Sequence, residues 1–160
     1  MTPERFKTMR HIETVRNYLG TVITELITRQ ERHDQSKLES PEVEVYDVIT
    51  EQLRGITYGS EEYRATLKTH KPAIDHHYEH NRHHPEFFGQ KSYRGMNLID
   101  LIEMLCDWKA ASLRHNDGDI FRSIEINQRR WGYSDELREI LENTAHWLAE
   151  RGVYHKAEES

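Results

Sequence analysis

Apolar residues recur along this chain at steps of three and four, and only four prolines and eight glycines interrupt 160 residues. Ile12, Val15, Leu19, Val22 and Leu26 alternate in this way, and β-branched runs stay short, so the pattern predicts an all-α fold of about seven helices. Thr2-Pro3 reads as an N-cap followed by proline in the first turn. Ser40-Pro41 repeats that signal before Val45, Val48, Ile49 and Leu53, Ser60 caps a further helix, and Pro72 opens a shorter one that Pro85 must follow. The strongest helix is expected from about Asn97 to His115, with Leu98, Ile99, Leu101, Ile102 and Leu105 on its apolar side and Asp100, Glu103, Asp107 and Arg114 along a polar stripe. Helices from Asp117 to Trp131 and from Ser134 to Arg151, the latter closed by Gly152, complete the set.

The expected organisation is a compact single domain, a helical bundle over residues 1–155, with a frayed tail at 156–160. Apolar residues make up 36% and charged residues 31% of the chain. No apolar run approaches the roughly 18 residues of a membrane span and no signal-peptide pattern opens the chain, so a cytoplasmic, soluble protein is expected. The single cysteine, Cys106, lies in an apolar helical run and reads as a buried small hydrophobe. A net charge of −6, without a Lys/Arg block interleaved with aromatics, argues against extended nucleic-acid binding and favours a small substrate. Homo-oligomerisation stays open.

Histidine is the anomaly. There are eleven, and six fall between His70 and His84. His11, the pair His33-Asp34, the segment His76-His77-Tyr78-Glu79-His80-Asn81-Arg82-His83-His84 and Asp107 are all of metal-ligand types. Imidazole and carboxylate together suit a divalent ion such as Mn, Fe, Co, Ni or Zn, and the absence of cysteine ligands argues against a closed structural zinc site. Such a set with open positions is what metal-assisted hydrolysis requires.

The order His11, His33-Asp34, Asp107 resembles the HD-domain superfamily of metal-dependent phosphohydrolases, and His33-Asp34-Gln35-Ser36-Lys37 is similar to its His-Asp-x-Gly-Lys form with Ser36 in place of glycine. HDxSK, HHxxxNxHH from His76 to His84, and Glu103-Met104-Leu105-Cys106-Asp107-Trp108 look closer still to an uncharacterised bacterial and phage family with HD-like motifs. The resemblance implies an HD-like fold and a mono- or binuclear site acting on a small phosphate ester, with a nucleotide the commonest class. Its ligands would be His11, His33, Asp34, His77, His83, His84 and Asp107, with Asp34 bridging, and Mg is a further candidate ion. The sequence leaves open which of His76/His77 and of His83/His84 bind. Lys37, one turn after Asp34, would clamp a phosphate with Arg82, and Glu79, Glu86 or Glu103 would orient a ligand histidine. Two alternatives fit the same residues: a di-iron oxygenase of HD type and a non-catalytic, metal-stabilised binding module.

One expectation is in tension with the periodicity. A straight helix from His11 to His33 would hold them roughly 33 Å apart at 1.5 Å per residue. For both to reach one site the chain must reverse between them, and Gly20-Thr21, a stop followed by a potential N-cap, is the expected place.

Overall fold

The structure, a computed structural model, describes residues 2–57, 59–113 and 118–152. Seven α-helices are found among them: α1 (Pro3–Arg32), α2 (Val43–Gln52), α3 (Glu61–Thr69), α4 (Lys71–His80), α5 (Leu98–Ser112), α6 (Ile120–Trp131) and α7 (Asp135–Glu150). The fold is all-helical, as the three- and four-residue spacing predicts, and no strand occurs among the described residues. Among them, no helix is long and apolar enough to cross a membrane. Arg114, His115, Asp117, His155 and the tail 156–160 lie outside the described residues, and so do the expected helix end at His115 and helix start at Asp117.

The chain divides into two units, Met1–His33 and Asp34–Ser160. The first is α1. Thr2 caps it by accepting from the Arg5 N–H, Pro3 enters its first turn, and no residue of it is buried. The expected reversal at Gly20-Thr21 does not occur, because α1 runs unbroken through both residues. The Thr21 hydroxyl donates to the Asn17 carbonyl at 3.1 Å instead of capping a new helix, and Thr24 donates to the Gly20 carbonyl at 2.9 Å. With hydroxyls satisfied inside the helix, a single glycine costs only about 1 kcal/mol, too little to break 30 residues. His11 and His33 therefore stand about 33 Å apart, and the two cannot share an ion.

In Asp34–Ser160 the cap signals select the helix starts. Ser60 accepts from Tyr63, Ser134 from Leu137 and Asp119 from Phe121, and Asn97 forms a reciprocal capping box with Asp100. α2 begins at Val43, later than the Ser40-Pro41 signal suggests, because a turn with Glu42 and Val43 both donating to the Glu39 carbonyl comes first. α5, α6 and α7 pack on one another around Leu105, Ile120, Ile124, Tyr133, Leu141 and Ala145, with Trp108 against that core. Each such large side chain contributes about 1.5–3 kcal/mol on burial, and the Tyr133 hydroxyl is satisfied by the Ile124 carbonyl. Cys106 falls on the exposed face of α5 beside Leu98 and Ile102, contrary to its expected burial. Four-residue steps put these three on one stripe, while Met104 and Leu105 take the core-facing side.

Ile49, Ala73 and Ile74 form the apolar contribution of α2 and α4. Between α4 and α5 the chain is tied down by Arg82, whose Nε and Nη2 both donate to Asp100 at 3.1 Å. Asp100 is fully buried and also receives the Asn97 N–H, so one carboxylate serves a helix cap and a bidentate ion pair. Asp100→Ala is expected to destabilise the fold by about 2 kcal/mol, because it removes a helix cap and both acceptors of the partly exposed Arg82 guanidinium. Urea unfolding measures this, and a loss below about 1 kcal/mol, the range of exposed pairs, would contradict it.

Candidate metal centre

Asp34 opens the second unit in a left-handed conformation, φ 55° and ψ 17°. A non-glycine residue there is uncommon, aspartate being among the types that tolerate it. The turn carries the chain into a 3₁₀ segment, Gln35–Leu38, in which the Lys37 N–H returns to the Asp34 carbonyl oxygen at 2.9 Å. That brings the Lys37 ammonium onto Asp34 Oδ2 at 2.6 Å, with Nζ 4.9 Å from the centre of the Tyr46 ring. Asp34 Oδ1 is left facing the histidines.

His77 sits in the last turn of α4, on the face that buries Ala73 and Ile74. The helix ends at Asn81, whose side-chain amide donates to the His77 carbonyl and to Ser36 Oγ, each at 2.8 Å. His83 and His84 follow before Pro85 opens the next segment. One ligand atom each from Asp34, His77, His83 and His84 lies within 4.8 Å of the others. His83 Nε2 is 3.4 Å and His77 Nε2 3.5 Å from Asp34 Oδ1, and His77 Nε2 is 2.9 Å from His84 Nε2. Asp34, His83 and Asp107 form a second set with the same spacing limit. His33, the C-cap of α1, is joined to Asp34 by one peptide bond at the boundary of the two units.

The far side of two rings is held by carboxylates. His77 Nδ1 lies 2.9 Å from Glu42 Oε2, and His83 Nδ1 lies 3.2 Å from Glu103 Oε1. A carboxylate only accepts, so in the neutral imidazoles both Nδ1 atoms carry the hydrogen and both Nε2 atoms present lone pairs. His83 Nε2 then turns a lone pair toward Asp34 Oδ1, and His77 Nε2, 3.5 Å from that oxygen, accepts from the His84 Nε2–H at 2.9 Å, so acceptor atoms crowd one point, an arrangement that a cation stabilises. The residues fit a divalent ion on this observation.

Protonation points the same way. Burial, then the Lys37 charge, lowers the His77 pKa, and burial, then His83 and His77, holds His84 well below the usual imidazole value. Both rings favour the neutral form that ligates metals.

The structure resolves the paired histidines as follows. His77 reaches the cluster, whereas His76 bonds Glu42 Oε1 through Nδ1 at 2.7 Å and stacks on His80 at 3.9 Å. His83 and His84 both belong to it. His70 pairs with Gln52, and His146 lies 4.4 Å from the Phe121 ring. His11 lies in α1, about 33 Å along the helix from His33. Arg82 is engaged by Asp100, Glu86 by Arg130 at 2.7 Å, and Glu79 is exposed. Of the three carboxylates singled out beside the ligands, Glu103 alone meets a cluster histidine in this way. Glu42 was not anticipated, since no ligand motif includes it and it precedes His77 by 35 residues.

A family model described as a family of unknown function (DUF5662) matches residues 2–150, and the chain belongs to that family. No curated protein and no solved structure matches it.

Neutral burial of His77 and His84 has a consequence for stability. Their folded pKa values lie below the unfolded value of about 6.5, so the stability due to these rings is present above that pH and is lost as pH falls, when the unfolded chain takes up protons that the fold resists. Metal-free protein should show a thermal midpoint that declines on acidification below about pH 6.5, and His84→Gln should flatten the decline. An unchanged pH profile in that variant would contradict the reading.

Proposed function

We propose that the chain is a metal-dependent phosphohydrolase acting on a small phosphate ester. The supporting observation is the convergence of three imidazoles and Asp34 within 4.8 Å of one another, two of the rings lying 3.4 and 3.5 Å from Asp34 Oδ1 and backed by the carboxylates of Glu42 and Glu103. Asp34, His77, His83 and His84 would hold one divalent ion. Asp107, which groups with Asp34 and His83, is the further carboxylate of this reading; His11 and His33 are left out of it. A donor set rich in imidazole favours Mn, Fe, Co, Ni or Zn over Mg, which prefers an all-oxygen shell.

A bound divalent ion would supply Lewis acidity, acidifying water and offsetting charge on a phosphoryl group. Asp34 would neutralise part of the cationic charge and fix its place. Lys37 is held on Asp34 Oδ2, and because an ammonium carries three donors, it retains capacity for a phosphate oxygen at the same site. Arg82 has its Nε and Nη2 on Asp100, so the clamp is assigned here to Lys37 alone. A nucleotide is the substrate class that the HD resemblance implies.

A panel of phosphoesters and nucleotides, assayed with added Mn²⁺, Co²⁺, Ni²⁺ or Zn²⁺, tests the proposal. Turnover should depend on metal, and Asp34→Ala should lose metal and turnover together while the α5–α7 core keeps the fold. Lys37→Ala should retain metal and lose roughly tenfold to a thousandfold in rate, the scale of a transition-state charge contact. Metal-loaded protein that is silent across the panel would overturn the hydrolase reading.

A further inference from the structure

We propose that Glu42 is a positioning residue for the metal centre, fixing His77 in the Nδ1–H tautomer and so holding its Nε2 lone pair toward Asp34. The inference rests on the metal-binding reading of the cluster and adds a residue that no ligand motif contains.

Glu42 is 0% exposed, directly before α2 and remote in sequence from the histidines. A carboxylate so placed is costly unless it is satisfied, and its two oxygens are bonded to successive imidazoles of α4. Oε1 takes His76 Nδ1 at 2.7 Å, and Oε2 takes His77 Nδ1 at 2.9 Å. Asn81 Nδ2 also approaches His77 Nδ1, at 3.0 Å, but its two hydrogens are spent on Ser36 Oγ and the His77 carbonyl, and Ser36 Oγ stands farther from that nitrogen, at 3.5 Å against 2.9 Å for Glu42. The carboxylate is therefore the group that sets the tautomer.

With one oxygen on each ring, the carboxylate cannot turn without breaking a bond, so His76 braces Glu42 as Glu42 braces His77. This gives the adjacent histidines different tasks: His77 faces the cluster, and His76 anchors the carboxylate behind it. Tyr46 closes the side of His77, with ring centres 5.5 Å apart in an edge-on arrangement, and removes another route for the ring to rotate. A neutral imidazole in water exchanges between tautomers, and only the Nδ1–H form can ligate through Nε2. Orientation of a ligand histidine by a carboxylate is worth 10–100-fold in metal affinity.

The test combines titration calorimetry of the full-length protein with Zn²⁺ and long-range ¹H–¹⁵N correlation of the imidazoles without metal. His77 of the unmodified protein should be found in the Nδ1–H form. Glu42→Gln preserves size but offers one acceptor oxygen and turns an amide donor toward the other ring; it should bind Zn²⁺ 10–100-fold more weakly with unchanged helical circular dichroism. His76→Ala should shift affinity in the same direction by less. An Nε2–H tautomer for His77 in the unmodified protein would overturn the inference without any variant having to fold. Zn²⁺ binding by Glu42→Gln within twofold of the unmodified protein would overturn it while leaving the metal site standing. Failure of the unmodified protein to bind Zn²⁺, Mn²⁺ or Co²⁺ would remove the metal reading itself, and this inference with it.

Discussion

Asp34 Oδ1 faces the Nε2 atoms of His83 and His77 at 3.4 and 3.5 Å, with His84 Nε2 2.9 Å from that of His77, a crowding of ligand-type atoms round one carboxylate oxygen. Much of the second unit can be read as what is needed to hold that contact. Asp34 takes a left-handed backbone to direct its side chain, Lys37 occupies its other oxygen, and the end of α4 delivers His77 while the residues beyond Asn81 deliver His83 and His84. None of these features is useful to an apolar core. Together they concentrate polar groups where burial is expensive unless every partner is supplied.

The supply comes from outside the cluster. Glu42 and Glu103 stand behind His77 and His83, Asn81 ties the end of α4 to Ser36, and the Arg82–Asp100 pair fastens the residue next to His83 to the start of α5. The apolar stabilisation is elsewhere, in the packing of α5, α6 and α7 around Leu105, Ile124 and Leu141. On the proposed metal-binding reading, this separation would let the cluster residues be replaced without dismantling the core, so that loss of metal and loss of fold are distinguishable in variants.

Helix starts were legible because capping is local: Thr2, Ser60, Asn97 and Ser134 each bond an amide three residues on. His77, His83, His84 and Asp34 were legible as ligand types, and burial then distinguishes His77 from its neighbour, a choice the dipeptide alone does not encode. The break at Gly20-Thr21 failed because threonine can satisfy its hydroxyl on a preceding carbonyl as readily as it caps a helix. Cys106 was misplaced because α5 buries only part of its apolar circumference. Glu42 was invisible for a different reason: a buried carboxylate behind a cluster histidine is defined by tertiary contact, and nothing in Ser40-Pro41-Glu42 signals it.

The central claim is that these side chains form a shell for one kind of ion, rich in imidazole nitrogen and completed by carboxylate oxygen. X-ray absorption on protein loaded with Zn²⁺ or Co²⁺ addresses it directly, since imidazole rings give outer-shell scattering that carboxylates and water do not. The account predicts three imidazoles and at least one oxygen on the ion, with the imidazole count falling by one in His84→Ala. A shell of oxygen alone, or an imidazole count indifferent to His77, His83 and His84, would contradict it.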